Sequence, residues 1–149
     1  MKSRTDTTLI VIHCSATRAG TDIGAHEIRS WHVNDNGWDD IGYHFVIRRN
    51  GAIERGRDIT LQGAHCPEFN AHSIAICMVG GVDDFGNPDR NYTMDQWASL
   101  KTLVYGLWLE YPTVTGVCGH RDAPGVKKAC PSFDVGQWLN NINFGWIRE

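Results

Sequence analysis

The chain has 149 residues, of which 42% are apolar and 21% are charged, and its formal net charge is −3. These proportions are typical of an ordinary globular protein, and we expect a single domain over residues 1–149. No lysine- and arginine-rich block is present in the sequence. The composition therefore disfavours a protein that binds nucleic acid through a broad basic face.

The first apolar run, residues 9–12, is too short for the core of a signal peptide or for a membrane span. We therefore expect synthesis in the cytoplasm and no membrane partner, so that action elsewhere needs another route of release. The five cysteines are an odd number at irregular spacing. In a cytoplasmic chain this pattern predicts reduced thiols or metal ligands in place of disulfides.

The N-terminal half contains strand patterns and one helix pattern. The β-branched run at residues 9–12 predicts a buried strand that ends at His13. Thr21 or Asp22 can cap a helix that continues to about His32. Asn50-Gly51 predicts a hairpin turn between strands at 41–48 and 52–55, and another apolar strand follows at 73–79.

The C-terminal half begins with the clearest helix of the sequence. Thr93 and Gln96 form a capping box, and apolar residues recur at helical spacing until Pro112. A short strand is predicted at 113–117, and a last helix at about 135–142, capped by Ser132 or Asp134. The whole order predicts an α/β fold with a mixed central sheet that is flanked by helices.

Chemically reactive residues are concentrated in residues 116–131, which contain His120, Lys128 and Cys130. Two ligands make a poor metal site, since zinc sites use three or four protein ligands. His13 and His120 each follow a predicted strand, so they can meet at one edge of the sheet. From its position alone, His13 fits equally well a core histidine that is hydrogen-bonded to the backbone.

Two imidazoles and one thiolate leave a tetrahedral position for water, which is the arrangement of a catalytic zinc site. Lys128 lies two residues before Cys130, so on an extended segment its ammonium faces the same side and can reach an oxyanion. The alternative is a solvated surface lysine, which is the interpretation that we give to Lys127. Tyr43 fits a core aromatic residue with its hydroxyl at the sheet edge.

Other candidate ligands have weaker support in the sequence. Cys66 and His72 are metal ligands by residue type, but no second pair at suitable spacing accompanies them. His26 and His32 are interpreted as surface or packing residues.

Several motifs in order resemble a known family. They are Val11-Ile12-His13-Cys14-Ser15-Ala16-Thr17, Gly42-Tyr43-His44-Phe45, Asn70 with Ser73-Ile74, Gly80-Gly81, Gly119-His120-Arg121-Asp122 and Lys128-Ala129-Cys130-Pro131-Ser132-Phe133-Asp134. Together they resemble the zinc-dependent N-acetylmuramoyl-L-alanine amidases of type 2, above all the short bacteriophage lysozymes (endolysins) of that family. The resemblance covers roughly residues 9–139.

The resemblance implies one Zn²⁺ per chain, held by His13, His120 and Cys130. It assigns Lys128 to the tetrahedral oxyanion and Tyr43 to orienting water or transferring a proton. It also places His65 and Asn70 along the substrate groove, with less support from the motifs.

The implied substrate is bacterial peptidoglycan, cleaved between the lactyl group of N-acetylmuramic acid and L-alanine of the stem peptide. By the same resemblance, we expect a monomer that is made in the host cytoplasm. It reaches the cell wall after the membrane has been permeabilised.

Three features depart from the family pattern. Ala75 stands where many members have glycine, and Cys77 stands where relatives with an acidic base have glutamate. The base role would then fall to Tyr43 or to zinc-bound hydroxide. The connection at 123–127 is also longer than in the short phage lysozymes that the chain resembles most.

Two other functions remain open on sequence grounds. Related peptidoglycan-recognition domains bind the stem peptide without cleaving it and typically lack the cysteine ligand, so Cys130 favours catalysis. Some short phage lysozymes also bind and inhibit the RNA polymerase of their phage, and only the resemblance suggests this partner here. A zinc deaminase is disfavoured, because the sequence has neither a His-x-Glu nor a Pro-Cys-x-x-Cys element.

Overall fold

The computed structural model describes residues 1–145 and contains a five-stranded sheet with helices on both faces. The strands are β1 (Leu9–Cys14), β2 (Phe45–Ile47), β3 (Ile53–Arg55), β4 (Ser73–Met78) and β5 (Gly116–Gly119), and the helices are α1 (Ala25–Ser30), α2 (Met94–Glu110) and α3 (Val135–Asn141). The sheet order is β3-β2-β4-β1-β5. β1 is parallel to both of its neighbours, whereas β3 is antiparallel to β2. The predicted mixed α/β fold is confirmed.

Alternate residues of the central strands point to opposite faces of the sheet, as the strand period requires. Ile10, Ile12 and Cys14 of β1 belong to the larger core cluster, which α2 and α3 cover. A smaller core on the other face packs α1 against β2 and β4. His13 therefore points away from the larger core, towards the face that α1 covers.

The helix α2 forms as the sequence indicates, and the predicted turn at Asn50-Gly51 joins β2 to the antiparallel β3. The Thr93 hydroxyl accepts a hydrogen bond from Gln96 N at 3.1 Å, and the Gln96 side chain accepts one from Thr93 N at 3.0 Å. Asp134 caps α3, since its carboxylate accepts from Gln137 N at 3.0 Å. These local hydrogen bonds satisfy N–H groups that would otherwise lack partners at the helix starts.

The start of α1 was predicted wrongly. The helix begins at Ala25 with Gly24 as the N-cap, and neither Thr21 nor Asp22 caps it. The Ala25 N–H donates to the Glu54 carboxylate on β3 at 2.9 Å, so a distant side chain supplies the cap. At the other end, α1 ends at Ser30, and one π-helical turn follows over Trp31–Asp35.

Two strand boundaries also differ from the prediction. β2 is limited to Phe45–Ile47, because the backbone before it bonds to a loop: Gly56 N donates to His44 O and Ala64 N donates to Gly42 O. β5 spans Gly116–Gly119, later than the predicted 113–117. In the described part of the chain, no helix is long and apolar enough to cross a membrane.

His44 is a buried histidine whose two ring nitrogens are both used by the fold. Nδ1 accepts from Ala75 N at 3.0 Å and Nε2 donates to Leu61 O at 2.8 Å, which defines a neutral ring. Burial lowers the pKa of His44 from 6.5 to about 4. Between pH 6.5 and about pH 4, His44 takes up a proton more readily in the unfolded chain than in the folded one. The free energy of unfolding therefore falls as the pH drops through this window.

We expect the titration of His44 alone to lower the free energy of unfolding by about 3 kcal/mol between pH 7 and pH 4. His44→Asn, which does not titrate there, lowers stability at pH 7 but flattens the pH dependence by about this amount. Urea denaturation at several pH values measures how the free energy of unfolding changes with pH in the wild type and in the variant. Equal slopes for the two proteins would contradict the assignment.

Candidate metal centre

The pairing of β1 with β5 brings two of the predicted ligands together. Ile12 lies opposite Gly119 in this parallel pair, so the next residues, His13 and His120, are neighbours at the carboxyl end of both strands. Their ring centroids are 4.6 Å apart. Asp122 holds the 3-10 turn that contains His120, because its carboxylate accepts from Gly119 N at 2.8 Å.

Cys130 reaches the same place through backbone hydrogen bonds of its loop. Arg121 N donates to Cys130 O at 2.8 Å, which ties the loop to the His120 turn. Cys14 N donates to Cys130 Sγ at 3.1 Å, which ties it to the end of β1. The Ser132 hydroxyl donates to Gly81 O at 2.7 Å, which anchors the loop after β4.

The candidate ligand atoms of His13, His120 and Cys130 all lie within 4.8 Å of one another. Two imidazole nitrogens and a thiolate at tetrahedral positions around zinc would be about 3.3–3.8 Å apart. The three residues therefore fit a zinc ion after a closing movement of about 1 Å. Their nitrogen and sulfur donors also match the preference of zinc better than that of Mg²⁺ or Ca²⁺.

Both histidines of this group are in the neutral state that a ligand needs. Burial, reinforced by His65, His120 and Lys128, lowers the pKa of His13 well below its ordinary value. Burial and the charge of Lys128 also lower the pKa of His120. Neutral imidazoles offer a lone pair without first losing a proton.

Cys130 shares a hydrogen bond with the thiol of Cys14. This bond lowers the pKa of Cys14 to about 7. It raises the pKa of Cys130, because the second proton of the pair is harder to remove once the first thiol is ionised. Metal binding would displace the proton of Cys130. The Cys14 N–H that points at Cys130 Sγ is the kind of donor that stabilises a thiolate.

Tyr43 packs directly against the ligand group. Its ring centroid is 5.0 Å from that of His13 and 5.4 Å from that of His32. Burial raises the pKa of Tyr43 well above its ordinary value, so its hydroxyl stays protonated. His32 also packs against Trp38, which agrees with its interpretation as a packing residue.

A cavity of about 450 Å³ opens beside the ligand group, and its walls contain Pro67, Glu68, His120, Pro124, Gly125, Val126, Lys127 and Lys128. Both lysines line it, and both are exposed to solvent. Lys128 is close enough to lower the pKa of both His13 and His120. Its ammonium therefore supplies positive charge at the metal centre.

The two predicted groove residues lie in the loop before β4. His65 Nδ1 is 2.8 Å from His13 Nε2, and His65 Nε2 is 3.1 Å from the Ser73 hydroxyl. The Asn70 side-chain oxygen accepts from both His65 N and Cys66 N, at 3.0 and 2.9 Å. The sequence analysis did not identify Ser73 as a site residue, although it is the first residue of β4 and the only one in that strand with a hydroxyl.

Other cysteines and histidines do not join the ligand group among residues 1–145. Cys66 contacts Glu68, and His72 bonds to Thr8. Cys77, which lies opposite His13 in β4, is fully buried, and burial raises the pKa of its thiol well above the ordinary value. It therefore provides no acidic group next to His13.

Comparisons with known proteins identify the family of the chain. The model of the N-acetylmuramoyl-L-alanine amidase family (Amidase_2) matches residues 3–133. The endolysin of Klebsiella phage KP32 is 45% identical over 135 residues, with 91% of this chain and 87% of the relative covered. The endolysin of Escherichia phage T7 is 44% identical over 137 residues, covering 92% and 88%.

A solved structure has the same fold. It is that of the N-acetylmuramoyl-L-alanine amidase LysC from Clostridium intestinale, which is 27% identical with a TM-score of 0.78 and covers 97% of this chain and 95% of that chain. The ordered motifs, the shared fold and the match over most of the chain agree, and the chain belongs to the N-acetylmuramoyl-L-alanine amidase family.

Proposed function

We propose that this protein is a zinc-dependent amidase that hydrolyses the bond between the lactyl group of N-acetylmuramic acid and L-alanine in peptidoglycan. The observation that carries this proposal is the convergence of His13, His120 and Cys130 within 4.8 Å, beside a cavity that Lys128 lines. Three protein ligands leave a fourth position for water. A metal site that serves only structure uses four protein ligands, so this donor set favours catalysis.

A zinc ion at this site would supply a Lewis acid and a water of lowered pKa. His13, His120 and Cys130 would hold it beside the cavity, whose wall contains His120 and where the scissile carbonyl is to be placed. The family resemblance and the position of the cluster together support this role for one ion per chain.

Lys128 stabilises the negative charge that develops on the carbonyl oxygen when water adds to the amide carbon. Its electrostatic effect on both histidines supports a position near that oxygen. Lys128 is exposed to solvent in the substrate-free structure. A cation next to developing negative charge contributes most to catalysis once bound substrate excludes water from the site.

Tyr43 acts as a hydrogen-bond donor in this proposal. Burial keeps its hydroxyl protonated, and its contact with His13 supports a role beside the ligand group. The hydroxyl can orient the attacking water or give a proton to the departing amine of L-alanine. Cys77 is a buried neutral thiol, so it does not take the base role that an acidic residue has in other relatives.

The biological role that fits this chemistry is host-cell lysis by a bacteriophage endolysin. The two phage endolysins at 44–45% identity support it. We propose that a monomer acts on peptidoglycan, with substrate contacts from the cavity walls and from the loop of His65 and Asn70. An RNA polymerase partner stays a prediction from the resemblance alone.

Digestion of purified peptidoglycan tests the proposed bond specificity. The zinc-loaded protein releases stem peptides that begin with a free L-alanine amine and leaves glycan chains with free lactyl carboxylates, which mass spectrometry distinguishes. Chelation of the metal abolishes the release, and added zinc restores it. Cleavage within the glycan or inside the peptide, or release that survives complete removal of metal, would contradict the proposal.

Lys128→Ala separates charge stabilisation from metal binding. We expect kcat to fall about 100- to 1000-fold, as for the loss of one oxyanion donor, with the zinc content unchanged. Lys127→Ala is the matched control, because it removes the same charge from the same cavity wall. We expect this control to lose less than about tenfold.

The comparison uses metal analysis and initial rates of amine release on the same protein samples. Loss of zinc from Lys128→Ala would make the lysine structural. Equal losses of activity in the two variants would assign the effect to the general charge of the cavity.

A further inference from the structure

The contact between His65 and His13 occupies one nitrogen of a proposed zinc ligand. His13 Nε2 lies 2.8 Å from His65 Nδ1, and the two rings are nearly perpendicular, at 84° with centroids 4.8 Å apart. Nε2 is thus engaged within the protein. The nitrogen of His13 that remains for a metal is Nδ1.

His65 is in turn fixed at its other nitrogen and at its backbone. Nε2 lies 3.1 Å from the hydroxyl of Ser73, which is fully buried in β4. Asn70 binds the backbone N–H of His65. A Cβ at Gly63 would lie 2.7 Å from the His65 ring, so the absence of a side chain there allows the ring its position.

Two arrangements of protons satisfy this row of neutral groups. In the first, His13 Nε2–H donates to His65 Nδ1, and His65 Nε2–H donates to Ser73. In the second, every donor is reversed, and His13 then carries its proton on Nδ1. Only the first arrangement leaves a lone pair on Nδ1, and a histidine ligand must offer one.

A doubly protonated His65 leads to the same result as the second arrangement. Its Nδ1–H would donate to His13 Nε2, so a neutral His13 would again carry its proton on Nδ1. A cationic ring there would also repel the metal ion. The row that presents Nδ1 of His13 to a metal therefore consists of neutral rings.

We propose that His65, held by Ser73, is a positioning residue that keeps His13 in the Nε2-protonated tautomer and so presents Nδ1 to the metal. This inference rests on the proposed zinc site. It gives His65 a role inside the metal centre, in addition to any contact with substrate along the groove. Outer hydrogen-bond partners of this kind commonly change metal affinity 10- to 100-fold when they are removed.

The tautomer of His13 is directly measurable in the metal-free protein. Long-range ¹H–¹⁵N correlation spectra distinguish a protonated Nε2 from a protonated Nδ1, and His13→Gln identifies the signal. We expect a protonated Nε2 on His13 in the wild type and a mixture of tautomers in His65→Ala. A wild-type His13 that is protonated on Nδ1 would overturn the proposal, whether or not the protein proves to be an amidase.

Zinc affinity, measured by competition with a chromogenic chelator, provides the second readout. We expect His65→Ala to weaken zinc binding about 10- to 100-fold. His65→Asn should restore most of the loss, since its side-chain oxygen can accept from His13 Nε2 at the place of Nδ1. Ser73→Ala leaves His65 in place but free to change its tautomer, so we expect a smaller loss than for His65→Ala.

His72→Ala is the matched control, because His72 is a histidine in the same region that bonds to Thr8 and not to the ligand group. We expect unchanged zinc affinity for it. A folded His65→Ala with wild-type zinc affinity would overturn the positioning role. A wild type that binds no zinc would instead overturn the proposed function, and the tautomer spectrum would still decide the relation between His65 and His13.

Discussion

The parallel pairing of β1 with β4 and β5 is the constraint on which the metal centre depends. His13 and His120 are far apart in the chain, and the register that places Ile12 opposite Gly119 makes them neighbours. A slip of one residue in β1 would turn His13 into the large apolar core and bring Cys14 to the other face. The same alternation that buries Ile10 and Ile12 in the large core therefore also directs the His13 side chain towards the metal centre.

Burial then sets the chemical state of the groups that the sheet brings together. The rings of His13 and His65 and the hydroxyl of Tyr43 all remain neutral because charge is costly at these depths. Buried polar groups need partners, and here the partners form one row through Ser73, His65 and His13. Lys128 provides the fixed positive charge of the site from the cavity wall, where its ammonium remains solvated.

Features that depend on local sequence were predictable, and features that depend on contacts through space were not. The apolar runs of β1 and β4 and the capping box of α2 gave correct elements, since each is encoded within a few residues. The start of α1 was missed because Glu54, on another strand, provides its cap. The strand β2 was predicted to begin too early, because the backbone before Phe45 bonds to a loop.

The site shows the same division. Ligand chemistry and strand ends pointed to His13, His120 and Cys130. The spacing of Lys128 to Cys130 suggested its role at an oxyanion, whereas Tyr43 gained its role only through the family resemblance. The contact of His65 with His13 has no local signature, and the Cys14 N–H that binds Cys130 Sγ belongs to the backbone, which every residue type shares. No reading of residue types alone could have found either.

The most direct test of the account is the X-ray absorption spectrum of the zinc-loaded protein at the zinc K-edge. We predict a first shell of one sulfur at about 2.3 Å and three nitrogen or oxygen atoms at about 2.0–2.1 Å, from Cys130, the two histidines and one water. Cys130→Ser should remove the sulfur contribution. A wild-type shell without sulfur, or with more than one, would contradict the ligand set on which the proposed mechanism rests.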